Sequence, residues 1–181
     1  MSKDPLDLKR FIRTVDNFPI EGITFRDITS LIETPKAFAK TCDELTKITR
    51  SFDADIVASI ESRGFIFAGT IARDLNLPFV LARKPGKLPN ETYKRSFNLE
   101  YGSASIEIQK NTDIKNKQKV VIVDDLVATG GTAIACSEIF TENFNIKNED
   151  ILILSIIDLP DLGGSALIRE RGYLIETLID Y

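Results

Sequence analysis

The chain has 181 residues, of which 43% are hydrophobic and 28% charged, and its formal net charge is −4. This size and apolar share suit one globular domain, and the acidic balance supplies no global basic field for nucleic acid or an anionic membrane surface. Histidine is absent, which removes Ser-His-Asp hydrolysis, Cys-His chemistry and His-ligated zinc and leaves acid–base work to carboxylates, Lys, Tyr or the substrate.

Residues 1–33 show little periodicity beyond a short helix expected near 6–14, and Met1 to Pro5 lack the apolar core of a signal peptide. A helical pattern runs over 35–51, with Pro35 in its first turn and Thr34 as its cap. Residues 56–60 read as a buried strand, turn tightly at Glu61-Ser62-Arg63-Gly64, and lead into a helix over 65–75 and a strand over 79–82. Residues 84–110 break this alternation. Pro85, Gly86, Pro89 and Asn90 precede an alternating stretch from Ser105 to Gln109, which predicts a long hairpin whose arms extend from the sheet as a mobile lid. A strand at 120–123, a helix over 132–144, a strand at 151–157, a helix over 161–171 closed by Gly172, and a strand at 173–179 complete the chain.

Strands alternating with helices define an α/β fold, a mostly parallel twisted sheet with helices on both faces, in a single domain over 1–181. Cys42 and Cys136 fall in helical segments and are expected as free thiols, which suits a reducing cytoplasm. The longest apolar runs are far short of a membrane span.

The most informative stretch is 119–133, Lys-Val-Val-Ile-Val-Asp-Asp-Leu-Val-Ala-Thr-Gly-Gly-Thr-Ala. A β-branched strand is expected to end in Asp124 and Asp125, followed by a small-residue loop and a helix N-terminus. Carboxylates accept hydrogen bonds from sugar hydroxyls. The amides of Ala128, Thr129, Gly130, Gly131 and Thr132, with the two threonine hydroxyls and the helix dipole, can surround a phosphate. A ribose 5-phosphate satisfies both groups at once. Gly130 and Gly131 are expected to permit close backbone approach and positive φ. The bland alternative, a polar βα turn, requires the apolar run, acid pair and Thr-Gly-Gly-Thr to coincide by chance. No P-loop fits, because Gly86-Lys87 is followed by Leu88, and the dinucleotide fingerprint is missing.

The stretch from Val120 to Thr132 resembles the phosphoribosyl diphosphate signature of the type I phosphoribosyltransferases. Gly22-Ile23-Thr24-Phe25-Arg26-Asp27-Ile28, Glu61-Ser62-Arg63-Gly64-Phe65, Arg83-Lys84-Pro85-Gly86-Lys87-Leu88-Pro89 and Leu99-Glu100-Tyr101-Gly102 resemble the adenine-using members of that family, over about residues 18–164.

The resemblance implies a hood over residues 1–33 and a flexible hairpin lid over 84–110. It implies that Asp124 and Asp125 hold the ribose hydroxyls and stabilise an oxocarbenium-like transition state. Ala128 to Thr132 would hold the 5′-phosphate. Arg63, after a strained peptide, would hold the diphosphate with Arg83, Lys84 and Lys87. Glu100 would assist proton movement at the base, with Tyr101 closing over the reaction centre. Phe25 and Leu159 would cover the two faces of the purine, and backbone groups around Arg26 would read its edge. Ala128 stands where 6-oxopurine relatives carry an acid, which points to adenine.

The implied reactants are adenine and 5-phosphoribosyl 1-diphosphate, the products AMP and diphosphate. Mg²⁺ would ride mainly on substrate oxygens, and a homodimer without nucleic-acid or membrane partners is implied. Phe97 and Glu21 depart from the family's usual Tyr and Pro. A transferase for another base, and a non-catalytic sugar-phosphate-binding regulator, are the competing readings.

Overall fold

The structure, a computed structural model, describes residues 4–98 and 103–181. It opens with a hairpin of β1 (Arg13–Asp16) and β2 (Thr24–Asp27), followed by α1 (Thr29–Glu33), α2 (Pro35–Phe52), β3 (Ile56–Ile60), α3 (Gly64–Leu75) and β4 (Phe79–Ala82). A second hairpin, β5 (Thr92–Asn98) and β6 (Ser103–Gln109), precedes β7 (Val120–Val127), α4 (Gly131–Phe144), β8 (Ile151–Asp158), α5 (Gly164–Glu170) and β9 (Leu174–Asp180).

The central sheet has the order β4-β3-β7-β8-β9 and every pairing in it is parallel. Parallel strands are covered on both faces, which is why β3, β7 and β8 are near-continuous apolar runs. Successive residues serve different cores. Ile56, Ala58, Val120, Ile122, Ile151 and Ile153 face a cluster completed by α4 and by Ile106 and Ile108 of β6. Val57, Val121, Val123, Leu152 and Leu154 face another, completed by Leu45 of α2, Phe67 and Ile71 of α3, and Leu8, Ile12 and Ile28.

The helices follow from spacing and termini. α2 buries Ala37, Thr41, Cys42, Leu45, Thr46 and Thr49, one stripe at helical period. α2, α3 and α4 end at Asp53, Asn76 and Asn145, with φ of 61°, 53° and 56°. Asp and Asn tolerate this left-handed turn better than other side chains bearing a Cβ.

Several expectations need correction. The helix expected over 6–14 shrinks to a single turn, Lys9–Phe11, because the chain from Arg13 pairs with β2. Asp4 accepts from the Leu8 and Lys9 amides and caps only that turn. α1 was not foreseen. Thr34 precedes α2, but its hydroxyl donates to the Ser30 carbonyl instead of capping the helix. The helix expected over 161–171 is a turn, Pro160–Leu162, then α5 after Gly163 at φ 74°. β9 starts at Leu174, one residue later than expected.

The hairpin of β5 and β6 is present, but its stem does not stand free. Arg95 on β5 donates to Glu138 at 2.5 Å and Glu142 at 3.0 Å on α4. Tyr93 meets Phe144 edge-on at 5.3 Å between ring centroids.

Strand β7 departs furthest from expectation. It does not end before the acidic pair; it runs through Asp124 and Asp125 to Val127. Pairing with β3 stops at Ser59↔Val123, whereas pairing with β8 continues to Val127↔Asp158. β8 alone supplies the ladder that keeps these residues extended. The gap left by β3 is the point where strand order reverses, the usual ligand crevice of an open α/β sheet.

Gly64 turns the chain there. A Cβ on it would stand 2.5 Å from Ser59 Oγ and 2.7 Å from the Val123 carbonyl oxygen. Gly64→Ala should lower unfolding stability by roughly 1–3 kcal/mol through this crowding. Urea denaturation measures it, and an unchanged midpoint would contradict the packing described.

Candidate active site

Arg63 occupies the turn after β3, just beyond a cis peptide bond between Glu61 and Ser62. Its Nε donates to Asp125 Oδ2 at 2.6 Å, and the Arg63 side chain is 45% exposed against 7% for Asp125. A buried carboxylate is thus compensated by a cation that still reaches solvent. The guanidinium also lies 5.1 Å from the Phe25 ring centroid. Glu61 is not the partner of Arg63. It accepts from Arg83 Nε at 2.7 Å, and Arg83 Nη1 donates to the Lys87 carbonyl at 3.1 Å. The two ion pairs tie the turn after β3 to strand β7 and to the turn after β4.

Asp124 and Asp125 are consecutive in β7 and both line one cavity, and the Asp125 amide donates to Asp124 Oδ1 at 2.9 Å. Burial pushes the Asp124 carboxyl well above the usual carboxylate range, the neighbouring Asp125 charge pushes it further, and Arg63 pulls it back. Cys136 is buried and burial raises its thiol. Cys42, also buried, is pushed up to about 11. Neither cysteine is a thiolate nucleophile at neutral pH.

A cavity of about 720 Å³ opens above the acidic pair, lined among others by Arg63, Lys84, Phe97, Asp124, Asp125 and Thr132. A hollow of about 100 Å³ adjoins it, bounded by Asp124 and by Leu126 through Ala133. The structure therefore gathers Arg63, Lys84, Asp124, Asp125 and Thr132 around one space, and Ala128, Thr129, Gly130, Gly131 and Thr132 around its annex. Only Gly130 has positive φ, 79°. Gly131 is the first residue of α4, which corrects the expectation of φ freedom at both glycines. The annex, with loop amides and a helix N-terminus around it, suits a tetrahedral anion, while the larger space offers carboxylates on one wall and cations on another.

Sequence reasoning missed the residue behind the annex. Gly164 donates its amide to the Ala128 carbonyl at 3.1 Å. A Cβ there would stand 2.2 Å from that oxygen and 2.6 Å from the Gly130 nitrogen. The Gly163-Gly164 pair was the available signal, obscured by reading a continuous helix across it.

Other expected site residues stand apart. Phe25, Arg26, Leu159, Arg83 and Lys87 do not line the larger cavity. Phe25 lies against Arg63, and the Arg26 guanidinium lies 4.0 Å from the Tyr181 ring centroid. Leu159 donates its amide to the Val127 carbonyl at 3.0 Å. Lys87 is exposed on the turn after β4. Glu100 and Tyr101 lie outside the described residues.

Among the described residues no group of three or more Cys, Asp or Glu side chains gathers to hold a metal ion. The acidic pair at the cavity fits a divalent cation that brings its own oxygens, as Mg²⁺ commonly does. No helix among the described residues is long and apolar enough to cross a membrane.

A parallel sheet carrying an acidic pair and a glycine-lined hollow at its switch point is the frame of a sugar-phosphate-handling α/β protein. The model of the phosphoribosyl transferase domain matches residues 29–158, and the chain belongs to that family. Within it the chain is similar along nearly its whole length to adenine phosphoribosyltransferases. That of Pelagibacter ubique is 42% identical over 97% of this chain and 98% of its own. The crystal structure of the Thermoanaerobacter pseudethanolicus enzyme is 39% identical, covers 97% of this chain and 98% of its own, and has a TM-score of 0.86. The Giardia lamblia enzyme complexed with 9-deazaadenine is 34% identical, covers 97% of this chain and 96% of its own, and has a TM-score of 0.89.

The raised Asp124 carboxyl sets a pH dependence. A group whose folded pKa lies above its ordinary value, 3.8 here, contributes full stability below that value and loses it as pH rises through the folded one. Asp124→Asn should therefore raise the melting temperature at pH 8 and leave it nearly unchanged at pH 4. Equal effects at both pH values would refute the assignment.

Proposed function

We propose that this chain transfers the 5-phosphoribosyl group of 5-phosphoribosyl 1-diphosphate to adenine, giving AMP and diphosphate. The observation that carries the reading is the adjacency of the acidic pair and the phosphate-sized annex, which together match the two ends of a ribose 5-phosphate. Asp124 and Asp125 accept hydrogen bonds from the ribose hydroxyls. Their position also favours positive charge on the sugar as the bond from C1 to the diphosphate oxygen breaks. The loop from Ala128 to Thr132 holds the 5′-phosphate.

Arg63 and Lys84 face the diphosphate across the cavity, Lys87 approaches from the turn, and Arg83 braces that turn through Glu61. Asp125 engages only Nε of Arg63, so the other guanidinium N–H groups serve phosphate oxygens. Mg²⁺ would be held mainly by diphosphate and sugar oxygens, where it neutralises the leaving group.

On the base side, Phe25 and Leu159 cover the purine faces and backbone around Arg26 reads its edge. Ala128 offers no charge to a 6-oxopurine. Glu100 takes or relays the proton at the purine nitrogen, in a chain without histidine, and Tyr101 shields the reaction centre. Two buried free thiols support a cytoplasmic setting.

A homodimer is part of this reading. Phe79 and Leu81 on the edge strand β4 are each 36% exposed, and Ile66 on α3 is 42% exposed. Phe65 meets Phe79 edge-on at 6.0 Å, which makes the apolar face continuous. Such a face beside a sheet edge suits a second copy.

Protein incubated with labelled adenine, 5-phosphoribosyl 1-diphosphate and Mg²⁺ should form AMP, with hypoxanthine, guanine and orotate far poorer by kcat/KM. Glu100→Gln should lower kcat roughly 10²–10⁴-fold while retaining sugar-diphosphate affinity. A folded protein that makes no AMP would reject the enzyme reading. Sedimentation equilibrium should return twice the 20.2 kDa chain mass, and Phe79→Lys should shift it toward monomer. A wild-type monomer at all concentrations would reject the dimer.

A further inference from the structure

Tyr181 connects two elements that the base reading treats separately. It follows β9 and donates its amide to the Asp158 carbonyl at 3.1 Å, one residue before Leu159. Tyr181 is half-buried and packs against the same apolar cluster as Leu159. From the hood, the Arg26 guanidinium lies 4.0 Å from its ring centroid and the Lys9 ammonium 4.6 Å. Lys9 also pairs with Asp180 at 3.7 Å. Arg26 Nη1 donates to Thr14 Oγ1 on β1, so the guanidinium is tied to both hood strands. Tyr181 thus joins β2, which carries Phe25 and Arg26, to the end of β8, beside Leu159.

We propose that Tyr181 is a positioning residue for the purine slot. Its backbone is fixed to the sheet and its ring holds Arg26, so it sets the spacing between β2 and the β8 end, and hence between Phe25 and Leu159. This inference rests on the adenine reading of the site. The attraction of a cation to a ring face needs the π system and not the hydroxyl. Phenylalanine should therefore substitute for Tyr181, and leucine, which lacks the ring, should not. The sugar-phosphate pocket lies at β7 and α4, and Tyr181 lines neither of its cavities. Loss of the ring should consequently affect the base far more than the sugar diphosphate.

Steady-state kinetics with both substrates varied tests this. Tyr181→Phe should stay within about twofold of wild type, and Tyr181→Leu should raise KM for adenine roughly five- to tenfold with KM for the sugar diphosphate nearly unchanged. Arg26→Met should give a similar rise, and the double variant no further one, since both changes break the same contact. This second variant serves if Tyr181→Leu does not fold.

Wild-type protein that makes no AMP would overturn the adenine reading and this inference with it. Active wild type, with unchanged adenine KM in Tyr181→Leu, would overturn the inference alone. A parallel rise in both KM values with a fall in melting temperature, or failure of phenylalanine to substitute, would also overturn it by reducing Tyr181 to a general structural role.

Discussion

Beyond Val123, strand β7 has a hydrogen-bonding neighbour on one side only. β3 has turned away at Glu61, while β8 continues to pair with β7 as far as Val127. That asymmetry creates the site. An extended backbone held from one side presents Asp124 and Asp125 on a rigid element, at the open end of a sheet whose interior is apolar on both faces. The turn that leaves room for them exists because Gly64 packs without a side chain against Ser59 and Val123. Ser59 adds a hydroxyl bond to the Val123 carbonyl at 2.7 Å, stitching the last shared step of the two strands.

Placing two acids at such a point is unfavourable unless something answers their charge. Arg63 answers Asp125 directly. Among the described residues no cation pairs with Asp124, and burial beside Asp125 raises its carboxyl pKa. Positive charge on a ribose undergoing substitution is the partner that would relieve it. A group raised in this way opposes folding at neutral pH, and in the proposed reaction a positively charged sugar would offset that cost. The ion pair of Glu61 and Arg83 does a different job. It links the end of β3 to the basic turn after β4, so the groups suited to a diphosphate share one scaffold.

The hollow proposed for the phosphate shows a comparable dependence on remote backbone. Its loop is shaped by Gly130 in a left-handed conformation, but its depth is set by Gly164, from a helix that begins more than thirty residues later. The hood is tied to the sheet by apolar packing of Leu8, Ile12 and Ile28 and by the Tyr181 ring beneath Arg26. The proposed base side and phosphate side therefore hang on different supports.

Some of this was legible in the amino-acid sequence alone. Short-range features were, because they depend on neighbours in the chain: the apolar strand runs, the helical stripe from Ala37 to Thr49, the Asp-Asp doublet with its Thr-Gly-Gly-Thr loop, and the glycine turn at Arg63. The family resemblance followed from the same local strings. The tertiary structure decided what depends on partners distant in sequence. It carried β7 past its acidic pair because β8 pairs with it there, and it gave Arg63 to Asp125 and Glu61 to Arg83. It cut the expected helix at 6–14 to one turn, because from Arg13 the chain pairs with β2 instead, and it set Gly164 against the 128–130 loop. Local propensity reports what a segment can form in isolation; strand ends, ion-pair partners and close backbone contacts are fixed only when a second segment arrives to satisfy or exclude them.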